Sequence, residues 1–117
     1  MKIISSEDAL LIFSKWKSEE SPLRLFAGGL EEIPSGTSGP ILRITEISGI
    51  PLNVVLSSPT EGSRVEVDLE GASDFKYADL RESPWKNSPF GTWLCFVEFK
   101  LFSGARIVLA EIRTETD

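Results

Sequence analysis

The chain contains no histidine and only one cysteine among its 117 residues. Histidine is the usual general base near neutral pH and the commonest metal ligand, so its absence removes a central part of most hydrolase, transferase and zinc-site chemistry. The one cysteine, Cys95, lies in an apolar strand pattern and has no second cysteine to pair with, so we expect a buried thiol. These shortages predict a protein that is not an enzyme and that holds no cofactor and no metal.

Positive charge and long apolar runs are also scarce. Lys and Arg number 12 against 18 Asp and Glu, a net charge of −6. Proteins that bind nucleic acid usually carry a basic cluster, and none is visible, so nucleic acid is not an expected partner. Apolar runs such as residues 9–13 are far shorter than the roughly 20 residues that span a bilayer, so no membrane contact is expected. The single cysteine and the short apolar start favour the cytoplasm.

What is present is the composition of one folded domain over residues 1–117, with 41% apolar and 26% charged residues. A helix is predicted first, from about residue 6 to 19. Ser5 or Ser6 can cap it, and Pro22 prevents its continuation. Its apolar face consists of Ala9, Ile12, Phe13 and Trp16.

From about residue 22 to 114 the pattern is typical of strands. Residues 64–70 alternate between apolar and charged side chains, which predicts a strand with one wet face. Residues 22–27, 41–47 and 52–57 also read as strands, and turn residues lie between them. The predicted fold class is α+β: an N-terminal helix followed by five or six antiparallel strands in a strongly bent sheet or open barrel.

The last two strands are predicted to form a hairpin with Ser103 and Gly104 as its loop. That loop would pair Cys95 with Ile112, Val97 with Ala110 and Phe99 with Val108 on a core face. The opposite face is too apolar for a solvated surface, so the helix, another sheet or a second subunit is expected to cover it. Its residues are the candidate interface of a homodimer: Leu94, Phe96, Ile107 and Leu109.

Two neighbouring segments are candidates for a ligand or partner site. On a strand, Tyr77, Asp79 and Arg81 share one face, where a hydroxyl, a carboxylate and a guanidinium can converge on a polar ligand or an anion. The alternative is a surface ion pair between Asp79 and Arg81. The proline-flanked loop that follows holds Trp85, Lys86 and Phe90, which either dock a partner or fold inward as a lid.

Two resemblances add to this interpretation. The order of a helix, a Pro-Leu-Arg-Leu-Phe strand at 22–26 and bent strands at 41–47 and 52–56 resembles Sm-like barrels. It implies a small barrel, but the RNA-contacting motif of that family is not reproduced, so no functional residue is transferred. Residues 75–82 and the hairpin ending at 106–111 are similar to small bacterial proteins of unknown function, which implies a bacterial source and supplies no activity.

The sequence thus favours a small non-enzymatic interaction or accessory domain that binds itself, as a homodimer, or an unidentified protein partner. The alternative is a small-ligand or anion-binding module that uses the face of Tyr77, Asp79 and Arg81 together with the Trp85 loop.

Overall fold

The structure, a computed structural model, describes residues 2–28, 41–49, 52–58, 62–79 and 93–112. Within these ranges the chain forms one helix and eight strands. In chain order they are β1 (Lys2–Ile3), α1 (Ser6–Ser18), β2 (Leu23–Ala27), β3 (Arg43–Gly49), β4 (Leu52–Ser57), β5 (Arg64–Asp68), β6 (Ser73–Asp79), β7 (Trp93–Lys100) and β8 (Arg106–Ile112).

All strand pairs are antiparallel and they form two sheets. The large sheet has the order β1-β6-β7-β8-β2, and the small sheet has the order β3-β4-β5. The predicted α+β class with antiparallel strands is confirmed. The strands are divided between two sheets, and within the described ranges they do not close into a barrel.

The helix begins and ends where its sequence predicts. The Asp8 backbone N–H donates to the Ser5 hydroxyl (3.0 Å), which satisfies one of the free donors of the first turn. Glu7 and Asp8 place negative charge at the positive end of the helix dipole. The buried face consists of Ala9, Phe13 and Trp16. No helix in the described part of the chain has the length and apolar character needed to cross a membrane.

The main core lies between α1 and the inner faces of the two sheets. The Phe13 ring contacts Trp16 at 5.7 Å and Phe99 of β7 at 6.1 Å between centroids, and Phe99 stacks on Phe75 of β6 at 5.5 Å. The small sheet contributes Ile44, Val54, Leu56 and Val67 to the same cluster. Burial of these apolar side chains is the main stabilising contribution to the fold.

The C-terminal hairpin is present, but its predicted register is wrong by one residue. The structure pairs Phe99 with Ile107 and Val97 with Leu109. The loop has three residues, 102–104, because Leu101 N–H donates to the Ala105 carbonyl at 2.8 Å. Gly104 adopts the left-handed conformation, φ +96°, that closes this type of loop. Both strands are apolar on both faces, so hydrophobicity alone does not fix their register.

The corrected register separates the four predicted interface residues. Ile107 and Leu109 belong to the main core, whereas Phe96, 1% exposed, lies on the opposite face of the sheet. Leu94 is half-buried at a register shift between Trp93 and Cys95. The prediction that these side chains form one outer face is therefore wrong.

The opposite face of the large sheet carries a second apolar cluster. Trp93 lies 5.3 Å from Phe26 and 5.7 Å from Phe96 between ring centroids. The shift after Trp93 turns its ring to the same side as Phe96, three positions further along. The other members are Ala78, Val108, Ala110 and Ile112. The large sheet is therefore apolar on both faces.

Strand β5 of the small sheet has one apolar and one charged face, as the alternation predicts. In β5, Val67 is buried and Val65 is half-buried, and Leu69 beyond it is buried. The alternate positions Arg64, Glu66, Asp68 and Glu70 are exposed. The outer face of this sheet is the one that adjoins the candidate site.

Candidate functional site

A groove of about 380 Å³ lies where the end of α1 meets the start of β3 and the end of β4. This volume falls in the range of small-molecule sites. The lining residues are Lys17, Glu20, Arg43, Ile44, Thr45 and Ser57. Only Ile44 among them is apolar, so the groove suits a small polar ligand.

Three cations lie in or beside this groove. Arg43 of β3 and Arg64 of β5 pair directly with Ser57 of β4 from its two sides. Side chains that are directly opposite on antiparallel strands share a face, so both arginine side chains extend from the same face of the sheet as Ser57. Lys17 comes from the last turn of α1. In the described part of the chain, none of these three cations forms a salt bridge.

Two hydroxyls in the groove are held close together but bonded weakly. Ile44 pairs with Leu56 and Glu46 with Val55, so Thr45 is the extra residue of a β-bulge. The Thr45 hydroxyl lies 3.4 Å from the Ser57 hydroxyl and 3.4 Å from the Val55 carbonyl oxygen. Both distances exceed the usual 2.5–3.0 Å of O–H···O bonds, so these hydroxyls keep capacity to donate to a ligand.

Among the described lining residues one is a carboxylate, Glu20, and its backbone conformation is unfavourable. Glu20 N–H donates to the Lys17 carbonyl at 3.2 Å and Ser21 N–H to the Trp16 carbonyl at 2.9 Å. This pair of bonds is the Schellman motif, in which glycine usually occupies the left-handed position. Glu20 occupies it here with φ 53°, at a cost of roughly 1–2 kcal/mol for a residue with a Cβ.

The sequence-predicted ligand face lies elsewhere. In β6, Tyr77 is half-buried and packs against the main core, and Asp79 is exposed and pairs with Cys95 of β7. The structure thus brings these two side chains near the end of the large sheet, not to the groove. The other predicted residues, Arg81, Trp85, Lys86 and Phe90, lie outside the described residues.

Cys95 is buried, at 3% exposure, as predicted. Its thiol donates a hydrogen bond to the Glu111 carboxylate, with 3.3 Å between Sγ and Oε1. A neighbouring carboxylate opposes formation of the thiolate, which requires electropositive surroundings to become a nucleophile. Across the described ranges, no three Cys, Asp or Glu side chains come together as a metal ligand set.

Four large apolar side chains are exposed in the described ranges, Ile3, Leu11, Ile41 and Phe102, and Phe102 is the most exposed of them. Phe102, at the tip of the β7–β8 hairpin, is 86% exposed. Its ring lies over Gly71, where a Cβ would come within 2.8 Å of Phe102 Cδ2. A side chain at Gly71 would therefore displace the ring, and the left-handed φ of +73° at this position also favours glycine.

Sequence reasoning missed the groove because its residues are dispersed along the chain. Lys17, Arg43 and Ser57 come together only when the β3–β4 register and the position of α1 are known. One local indication was available: the three residues after the helix, Glu19-Glu20-Ser21, include no glycine, which is the usual residue at the end of a helix.

Comparison with protein-family models, with curated proteins and with solved structures gave no match for this chain. The resemblances to Sm-like barrels and to small bacterial proteins therefore stay predictions, and the function is argued from the geometry alone.

Proposed function

We propose that this chain is a small non-enzymatic binding domain that holds an anionic group of a small ligand in the groove between α1, β3 and β4. The observation that carries the proposal is the presence of Lys17 and Arg43, without a salt bridge in the described part of the chain, in a groove of about 380 Å³. An acidic chain with net charge −6 has many carboxylates available for these cations. Because no described carboxylate pairs with them, an external anion is favoured.

The proposed bonding uses charge and hydroxyl donors together. The Arg43 guanidinium and the Lys17 ammonium supply charge-assisted hydrogen bonds, which are about twice as strong as neutral ones. The Thr45 and Ser57 hydroxyls supply two further donors from a fixed position. The groove is open to water, so we expect weak binding of a simple anion, on the order of 1 mM.

Thermal unfolding with inorganic phosphate tests the proposal. At about 100 times the dissociation constant, phosphate is expected to add about 2.7 kcal/mol to the free energy of unfolding, relative to chloride at the same ionic strength. Arg43→Gln is expected to reduce this gain by at least half. Lys15→Gln is the matched control: it removes one positive charge from the last turn of α1, outside the groove lining.

An equal effect of phosphate and chloride contradicts the proposal. The proposal is also contradicted if Arg43→Gln and Lys15→Gln lose the same amount of phosphate stabilisation. Phosphate binding would then depend on the overall charge of the protein and not on the groove.

A second candidate function is binding of a protein partner or of a second copy, as the sequence favours. The exposed ring of Phe102 supports it, since aromatic side chains are frequent anchors of protein interfaces. The single cysteine supports a reducing location, the cytoplasm, for either function. Light scattering of the wild type and of Phe102→Ser tests this candidate: a dimer that the substitution dissociates supports it, and a wild-type monomer contradicts self-association.

A further inference from the structure

We infer that the ligand of the groove is zwitterionic, with an ammonium group that binds Glu20 in addition to the anionic group that binds Arg43 and Lys17. This inference rests on the proposed function and identifies the ligand class. The groove contains charges of both signs, and among the described residues Glu20 is the only carboxylate that lines it.

The position of Glu20 is the first support. Glycine is the usual residue at the left-handed position of a Schellman motif, because a Cβ is unfavourable there. The chain instead has Glu20 at φ 53°, and its side chain lines the groove. Residues kept in unfavourable backbone conformations are concentrated at functional sites. This position therefore supports a role for the Glu20 carboxylate that glycine could not fill, since the residue also lines the groove, which Asp74, the other described non-glycine residue with positive φ, does not.

The surroundings of the Glu20 carboxylate are the second support. Within the described residues it accepts no hydrogen bond and forms no salt bridge, although Lys17 lines the same groove. The backbone of Glu20 is held in place by its own bond to the Lys17 carbonyl and by the bond from buried Ser21 to Trp16. The carboxylate is thus attached to a fixed backbone and is open to a cationic donor.

A carboxylate beside an anion site also selects between ligands. It repels a ligand that has only negative charge and attracts one that joins an anion to an ammonium group. A groove of about 380 Å³ has room for a molecule of this kind with a short linker. Aminoalkyl phosphates are the probes that test this chemistry.

Isothermal titration calorimetry compares 2-aminoethyl, 3-aminopropyl and 4-aminobutyl phosphate with ethyl, propyl and butyl phosphate. Three linker lengths are used so that one of them matches the span between Glu20 and Arg43. We expect at least one aminoalkyl phosphate to bind about tenfold more tightly than its alkyl counterpart. Equal or weaker binding of all three aminoalkyl phosphates overturns the inference while alkyl phosphate binding still supports the proposed function.

Glu20→Gln and Glu19→Gln form the matched pair of variants. Both remove one carboxylate from the same turn, but Glu19 has ordinary helical backbone, φ −88°, and does not line the groove. Glu20→Gln is expected to reduce the tenfold preference to about onefold and to tighten alkyl phosphate binding, because a repulsive charge is lost. Glu19→Gln is expected to keep most of the preference.

A similar loss of preference in both variants overturns the inference, because the effect would then follow the net charge of the turn. If no phosphate of either series binds the wild type, the proposed function fails and the inference fails with it.

Discussion

The large sheet and the small sheet use their charged side chains in opposite ways. In the large sheet, Glu98 is 5% exposed and lies 3.7 Å from Arg106, between its Oε1 and Nη1 atoms. In the small sheet, Arg43 and Arg64 flank Ser57 on an exposed face and form no salt bridge with any described residue. Glu98 is thus buried and paired with a partly exposed arginine, whereas Arg43 and Arg64 are both exposed and accessible to a ligand.

The apolar side chains follow the same division. The large sheet buries side chains on both faces, with the main core on one side and the Trp93 cluster on the other. The small sheet adds one face to the main core, and the described residues of its outer face are exposed or half-buried except for Val55, which is buried. Substitutions in the large sheet should therefore change stability, and those on the outer face of the small sheet should change binding with little effect on stability.

The largest expected effect is in the main core. Phe99→Ala removes a fully buried ring that contacts Phe13 and Phe75, and should reduce the free energy of unfolding by about 3–5 kcal/mol. Chemical denaturation with urea measures it. Phe102→Ala, the same deletion at an exposed position near the end of the same strand, should change stability by no more than about 0.5 kcal/mol. Equal reductions in the free energy of unfolding for the two variants would contradict the contrast between buried and exposed positions.

Elements with apolar residues repeated at the spacing of a single helix face or strand face were predictable from the sequence. The register of strands that are apolar on both faces was not. The helix follows from Ser5 and the spacing of Ala9, Phe13 and Trp16, and the wet face of residues 64–70 follows from strict alternation. The predicted hairpin register is wrong because both faces of β7 and β8 are apolar. Two registers that differ by one residue therefore fit the hydrophobic pattern equally well.

The candidate site was not predictable for a different reason. Its charges come from α1, β3 and the turn at Glu20, and their proximity depends on tertiary packing and on the bulge at Thr45. The two sequence-favoured residues that are described, Tyr77 and Asp79, lie on the main-core face of the large sheet. No local sequence pattern predicts that Lys17 and Arg43 lie close together.

An intermediate effect is expected at the ion pair between buried Glu98 and partly exposed Arg106. Arg106→Met keeps most of the aliphatic stem but removes a cation near Glu98, so it should reduce the free energy of unfolding by about 1–3 kcal/mol. Arg64→Met makes the same change on the exposed face of the small sheet and should stay within about 0.5 kcal/mol. Urea denaturation of both variants measures the difference. A larger reduction in the free energy of unfolding for Arg64→Met than for Arg106→Met would contradict the contrast between the two sheets.

The smallest expected effect is a gain in stability at the groove. Glu20→Gly removes the unfavourable left-handed conformation and should raise the free energy of unfolding by about 0.5–1 kcal/mol, after the entropy that glycine adds to the unfolded chain is subtracted. Glu19→Gly, at φ −88°, should lower it by a similar amount. Thermal unfolding compares them; a loss of stability in Glu20→Gly would show that its backbone is not strained.

The most direct test of the central claim is an amide ¹H–¹⁵N NMR titration of the wild type with inorganic phosphate, at constant ionic strength. We expect saturable shifts for the backbone amides of Lys17, Glu20, Arg43, Thr45 and Ser57. The amides of the large sheet, such as those of Val97 and Leu109, should stay in place. Saturable shifts confined to the large sheet, or no saturable shift at all, would contradict the assignment of the groove as the binding site.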